Sequence, residues 1–147
     1  MENLSQNQER ILPTVSIEEN LSRLQKIAKG TMMAQDFLIK NEQGQTVGSF
    51  TLQISRPPKG EATAYLNTIN VDAARGKGYG RAAYLKIIDH LKGQNIRFTS
   101  STYSLSRDSK KVWDRLVQEG RARLVDEGQT DETKENEGYS TAQYEAL

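Results

Sequence analysis

The sequence predicts a mixed α/β fold in one domain of 147 residues, and three stretches carry that prediction. Ala34–Lys40 and Thr46–Ser55 read as two strands joined by Asn41-Glu42-Gln43-Gly44-Gln45, a hairpin loop with glycine in it. Ala62–Val71 is rich in β-branched and aromatic residues and reads as a third strand. It runs through three glycines in five residues into a helix. There Tyr84, Ile87, Ile88 and Leu91 stand at the i, i+3, i+4, i+7 spacing of one apolar face. A hairpin followed by a strand and a helical crossover to further strands makes the fold mixed.

The remaining elements follow in chain order. Residues 1–10 are polar, and 1–15 are expected to form a flexible arm or a short edge strand over Ile11–Val15, where Pro13 allows at most an edge. Ser16 with Glu19 has the pattern of a capping box. It predicts a helix carrying Ile17, Leu21, Leu24, Ile27 and Ala28 on one face and stopping near Gly30. Arg56-Pro57-Pro58-Lys59-Gly60 breaks the chain before the third strand. After the glycine-turn helix, Gly93 ends the turn and Ile96–Ser100 reads as a strand. Ser106 or Asp108 then caps a helix with Val112, Trp113, Leu116 and Val117 as its buried stripe and Gly120 as its stop. Arg121–Asp126 reads as a strand, Gly128–Gly138 as an acidic turn, and Tyr139–Leu147 as a closing strand.

Composition narrows the function. Twenty basic residues against 19 acidic ones leave a net charge of +1, which gives no global attraction to nucleic acid or an anionic membrane. The absence of cysteine excludes disulfides, thiolate metal sites and a cysteine nucleophile, and one histidine excludes a histidine-rich metal site. No metal is expected. No apolar run reaches membrane-spanning length and the N-terminus has no apolar signal core, so a cytoplasmic protein is the expectation.

The glycine turn, Arg75-Gly76-Lys77-Gly78-Tyr79-Gly80-Arg81, is where chemistry concentrates. Glycines at the start of a helix let an anion approach the backbone N–H groups, and the helix dipole adds to the basic side chains. Two phosphate-binding motifs fail by a required residue: Lys77 is followed by Gly78 instead of Ser or Thr, and Arg81 stands where a dinucleotide fingerprint needs its third glycine. What remains is Arg75-x-x-Gly78-x-Gly80 with Val71 upstream on a strand. This resembles the acyl-CoA pyrophosphate loop of the GCN5-related N-acetyltransferases (GNAT), whose common form is Val-x-x-x-Arg-Gly-x-Gly-x-Gly or Ala. The order of elements matches that family over roughly residues 16–147. The resemblance implies a central, mostly antiparallel twisted sheet flanked by helices, and acetyl-CoA as donor. One departure stands out: the family usually has a first strand and two helices before the hairpin, whereas only one helix is legible here.

The resemblance also implies roles. The backbone of Gly76, Lys77, Gly78, Tyr79, Gly80 and Arg81, with Arg75, would hold the cofactor. The thioester carbonyl would be polarised by a backbone N–H at a bulge, placed at Ile69, Asn70 or Val71. Ser109 would bond the pantetheine arm in place of the family's asparagine. No carboxylate lies between Tyr65 and Val71, so Glu61 is the candidate base, with Asp72 beside the loop; each also reads as an ordinary surface charge. His90, one position off its helix's apolar stripe, reads as exposed. The family's acid tyrosine falls on Leu116, which has no proton to give. Tyr103 is the substitute, or else a packing residue. A thiol ionises near 8.5, so a thiolate tolerates leaving without an acid.

The implied activity is transfer of an acetyl group to a primary amine of a small cationic molecule or a protein. The acidic run Asp126, Glu127, Asp131, Glu132, Glu135 and Glu137 would attract such an acceptor, or is a solvated loop. The alternative is a non-catalytic acyl-CoA-binding or interaction module on the same fold, motivated by Leu116. A nucleic-acid role is the poorest reading, because no aromatic stacking ladder adjoins the glycine turn. A homodimer stays open.

Overall fold

A computed structural model describes residues 12–20, 25–26, 32–71, 78–100, 105–131 and 139–147. The strands are β1 (Ser16–Glu19), β2 (Gln25–Lys26), β3 (Met32–Lys40), β4 (Thr46–Ser55) and β5 (Thr63–Asn70). Helix α1 (Tyr79–Gly93) leads to β6 (Arg97–Thr99), and helix α2 (Arg107–Gln118) leads to β7 (Ala122–Asp126). β8 (Thr130–Asp131), β9 (Tyr139–Ser140) and β10 (Gln143–Ala146) complete the chain. The main sheet has the order β1-β3-β4-β5-β6-β10-β7, with β2 also on the outer side of β3, while β8 and β9 form a separate ribbon. Among the described residues every strand pairing is antiparallel except β5 with β6, which α1 connects. No helix among the described residues is long and apolar enough to cross a membrane.

The N-terminal expectation is overturned. Ser16 and Glu19 do not cap a helix: Ser16–Glu19 pairs with Lys40–Phe37, and Gln25–Lys26 pairs with Ala34–Met33. Asn20 continues the pairing, its N–H donating to the Asp36 carbonyl at 2.8 Å, and the other residues of that expected helix lie outside the described ones. Tertiary pairing wins because β3 would otherwise present an open edge. The side chains fit a strand as well as a helix. Val15 is buried, Ile17 packs against the core, and Glu19 accepts a hydrogen bond from Gln35 Nε2 at 2.7 Å. Residues 12–15 belong to no strand.

Most other elements fall within a residue or two of expectation; the exception is the expected turn Gly128–Gly138, where Thr130–Asp131 forms β8 because Tyr139–Ser140 pairs with it. The closing strand is divided into β9 and β10. Ser106 is the cap of α2, accepting from the Ser109 N–H at 3.2 Å. At the end of α1 the left-handed residue is Asn95 (φ 61°), while Gly93 remains helical. The core sits between the sheet and the two helices. α1 buries Ala82, Ala83, Tyr84, Ile87, Ile88 and Leu91. Phe37 stacks on Phe50 at 4.8 Å, and His90 sets its ring edge-on to Phe37 at 5.5 Å. His90 is therefore half-buried rather than exposed. A second aromatic group joins Tyr84, Phe98, Trp113 and Tyr144, with Trp113 touching the other three rings at 5.1–5.9 Å.

Candidate active site

β5 and β6 run side by side over only three pairs, from Thr63↔Arg97 to Tyr65↔Thr99, and then part. Two local features open this wedge. On β5, Thr51 pairs with Thr68 and Leu52 with Leu66, so Asn67 has no counterpart on β4 and forms a bulge that bends the strand. On the other side, Ser100 is captured by β10. Its N–H donates to the Tyr144 carbonyl at 3.0 Å, and its Oγ accepts from the Tyr144 N–H at 2.9 Å. The expectation that the bulge lies at Ile69, Asn70 or Val71 is thus corrected. The irregularity is at Asn67, and those three residues form the stretch between the bulge and the loop.

The wide end of the wedge is the start of α1. Gly78 is its N-cap with φ 83°, no side chain caps the helix, and no acidic residue occupies its first turn. The first-turn N–H groups and the dipole therefore favour an anion. The end of β5 reaches this point by lying close over β4. A Cβ on Gly48 would stand 2.5 Å from the Asn70 carbonyl oxygen and 2.7 Å from Val71 Cγ1. The approach thus requires glycine there. Gly80 faces Val71 with room to spare, since an added Cβ would sit 3.7 Å from Val71 Cγ2. Gly78 lies beside Leu12 and Pro13.

The fold thus brings together Ile69, Asn70, Val71, Gly78, Tyr79, Gly80 and Arg81. Arg75, Gly76, Lys77 and Tyr103, and with them Asp72, lie outside the described residues. Arg81 points its guanidinium at Glu119, at the end of α2, where Arg115 also stands 3.6 Å from the same carboxylate. Ser109 is tied to Ser106, whose Oγ donates to Ser109 Oγ at 3.1 Å, and to the Tyr84 hydroxyl. Burial pushes the Tyr84 hydroxyl up to about 12, and its hydrogen bond with Ser109 offsets part of that. Glu61 is not brought to this group. It is exposed at the opposite end of β5, within electrostatic reach of Arg97 and about 20 Å of extended chain from the bulge. Leu116 is fully buried in the core.

The β6 side is pinned by charge as well. Glu145 accepts from Arg97 Nε and from Arg123, whose Nε and terminal nitrogen stand at 3.1 and 2.8 Å. These bonds, from Arg97 first and then Arg123, hold the Glu145 carboxyl down at about 2. Behind it, the Tyr144 hydroxyl donates to Asp114, which also binds Lys110 Nζ at 2.9 Å. Burial, helped by the bond to Asp114, pushes Tyr144 up to about 12. Among the described residues, no group of three or more His, Cys, Asp or Glu side chains is placed to hold a metal ion.

Sequence reasoning missed Gly48, Ser100 and the Asp36–Thr51 pair, in which Thr51 Oγ1 donates to Asp36 Oδ1 at 2.7 Å. Gly48 did carry a signal, since glycine inside a strand marks close backbone approach. The other two depend on strand register.

A family model described as the acetyltransferase (GNAT) family matches residues 7–116. No curated protein matches the sequence. Among solved structures, the chain is similar to a GNAT family acetyltransferase from Elizabethkingia anophelis with acetyl-CoA bound. Identity is 14% and the TM-score 0.56, covering 91% of this chain and 97% of that one. It is also similar to a spermidine N-acetyltransferase chimera from Vibrio cholerae SpeG and hSSAT, at 9% identity and TM-score 0.57, covering 91% and 95%. A SpeG spermidine N-acetyltransferase mutant from Vibrio cholerae gives 10% identity and TM-score 0.55, covering 91% and 93%.

Proposed function

The chain belongs to the GNAT acetyltransferase family, and on that premise we propose that it moves the acetyl group of acetyl-CoA to a primary amine of a small cationic molecule or a protein. The observation that carries this reading is the wedge between β5 and β6, which ends at the uncapped start of α1. Backbone N–H groups of residues 78–81 suit a pyrophosphate, with the preceding basic stretch from Arg75 to Lys77 adding charge. A backbone N–H at the Asn67 bulge is the donor for the thioester oxygen. Attack by a neutral amine then forms the C–N bond and breaks the C–S bond. The nitrogen gives up its proton to solvent, and the sulfur leaves as thiolate, because Leu116, at the place of the family's acid, supplies no proton. The exposed carboxylates Asp126 and Glu127 open the acidic segment and suit a cationic acceptor, the class on which the spermidine N-acetyltransferases of similar fold act.

The test combines turnover with binding. Incubation with acetyl-CoA and a panel of amines should release free thiol and give a product heavier by one acetyl group. Acetyl-CoA should also raise the melting temperature. Gly80→Leu should abolish that rise while the fold persists, whereas Gly80→Ala, whose Cβ has space, should keep it. An unchanged rise in Gly80→Leu would remove the turn from the site. The buried Leu116 favours a second reading, a non-catalytic acyl-CoA-binding module. A melting-temperature rise without thiol release from any amine would select it.

A further inference from the structure

The two helices pack on one face of the sheet, so an acceptor reaches the wedge from the other. Period-two alternation says which side chains stand there. Phe50 pairs with Phe37, whose ring meets His90 of α1, so Phe50, Leu52 and Ile54 face the helices. Gln53 therefore faces away. Its row of register leads to the wedge through Ala34 on β3, Gln53 on β4, Tyr65 on β5 and Thr99 on β6. Tyr65 and Thr99 are the last pair before the two strands part. Three polar side chains are buried among the described residues: Gln53, Ser100 and Ser140. Ser100 Oγ accepts from the Tyr144 N–H at 2.9 Å, and Ser140 Oγ from the Ala142 N–H at 3.1 Å. Gln53 is 8% exposed, and its amide has no hydrogen-bond partner among the described residues. A buried amide left unpaired works against the fold, and a ligand that completes it accounts for its place in a central strand. Ala34, directly opposite, is the smallest side chain that carries a Cβ and leaves room over the strand.

We propose that Gln53 is a specificity residue that binds an amide group of the acceptor next to the amine being acetylated. The acceptor is then an α-amino amide, either an amino-acid amide or the N-terminus of a peptide. The inference rests on the acetyl-transfer reading and narrows its acceptor. Chemistry selects the partner. The Gln53 side chain is neutral and carries an acceptor oxygen beside a donor NH₂. An ammonium would satisfy the oxygen alone and turn its charge towards the NH₂ group. A carboxylate would do the reverse, whereas another amide satisfies both. Distance agrees. The Asn67 bulge lies one strand spacing across and two residues along from Gln53, about 8 Å in the plane of the sheet. The Gln53 side chain and a hydrogen bond of about 3 Å take up much of that span. The group bound to Gln53 thus sits a few bonds from an amine at the bulge, as the amide of an α-amino amide does. An alkylamine offers Gln53 nothing and leaves its amide unpaired.

The experiment compares alaninamide and tetra-alanine amide with sec-butylamine as acceptors, in wild type and in Gln53→Met, which keeps the length of the side chain and removes both polar atoms. The amines differ in basicity, but equally for both proteins, so the readout is the ratio of kcat/KM between amide and alkylamine. That ratio should fall in Gln53→Met by about ten- to a hundredfold, the range of two neutral hydrogen bonds, and mainly through KM. The larger wild-type kcat/KM of the two amides tells a small amino-acid amide from a peptide. Gln53→Met should also melt no lower than wild type, since an apolar side chain suits the buried place better than an unpaired amide. A clear drop in melting temperature would show that the amide has its partner inside the protein, and overturns the proposal. A ratio equal in the two proteins overturns it too, while leaving acetyl transfer standing. No turnover with any amine would instead count against the acetyl-transfer reading. Calorimetric binding of alaninamide to the CoA-loaded protein then decides the role of Gln53. Weaker binding in Gln53→Met supports it, and equal binding, or none in wild type, overturns it.

Discussion

The two walls of the wedge are built in opposite ways. The β6 wall is fixed from behind. Ser100 is bonded twice to β10, Glu145 is held between Arg97 and Arg123, and Trp113 packs against Tyr84, Phe98 and Tyr144. The β5 wall is irregular, with a bulge at Asn67, a close crossing at Gly48 and a glycine-capped helix at its end. One wall holds position and the other presents backbone. A cleft that must accept an extended ligand without collapsing needs both. Side-chain packing keeps it open, and departure from ladder geometry gives its polar backbone groups a direction to face.

The largest effect is expected from removing the packing of the fixed wall. Trp113→Ala deletes the ring shared by three aromatic neighbours in a fully buried place, and should cost about 3–5 kcal/mol of stability. Urea denaturation measures it. A loss below about 1 kcal/mol would mean that the wall is held by its hydrogen bonds and ion pairs instead.

The irregular wall should respond with a smaller loss of stability and a larger loss of binding. Gly48→Ala forces a Cβ to within 2.5 Å of the Asn70 carbonyl oxygen, so the end of β5 must move. Overpacking of this kind costs about 1–3 kcal/mol. Because the displaced backbone leads into α1, the melting-temperature rise with acetyl-CoA should fall as well. Thermal scans with and without acetyl-CoA check both parts. Destabilisation with full ligand response would separate the crossing from the site.

The same contrast explains what was legible in the sequence. The hairpin, β5, α1 and α2 each announce themselves through local signals: a glycine loop, β-branched runs, an apolar stripe, and a serine cap at Ser106. The stretch proposed to hold the donor, Val71 and Gly78–Arg81, is local too, one strand end and the helix that follows it. What could not be read depends on partners distant in the chain. Ser16–Glu19 carries a helix-start pattern and still becomes a strand, because β3 offers it an edge. The bulge is visible only when Leu66 and Thr68 are matched to Leu52 and Thr51. Asp36 meets Thr51 only through register, and Glu61 stands at the wrong end of β5 because distance along a strand is distance in space.

The smallest effect belongs to the charged pin of the fixed wall, and pH gives it a signature. Glu145 has its carboxyl lowered from 4.5 to about 2 in the folded chain, chiefly by the bond from Arg97 and then by Arg123. A lowered carboxyl favours the fold above its unfolded value, and the contribution fades as pH falls from 4.5 towards 2. Arg97 and Arg123 are 42% and 61% exposed, so solvent screens the pair and the contribution is of order 1 kcal/mol. Glu145→Gln should therefore lower stability slightly at pH 7. The gap from wild type should narrow below about pH 4.5 and close near pH 2, and added salt should shrink it at neutral pH. Denaturation curves at several pH values test this. A gap that persists unchanged at pH 2.5 would show that Glu145 supports the wall by packing between the strands and not by its charge.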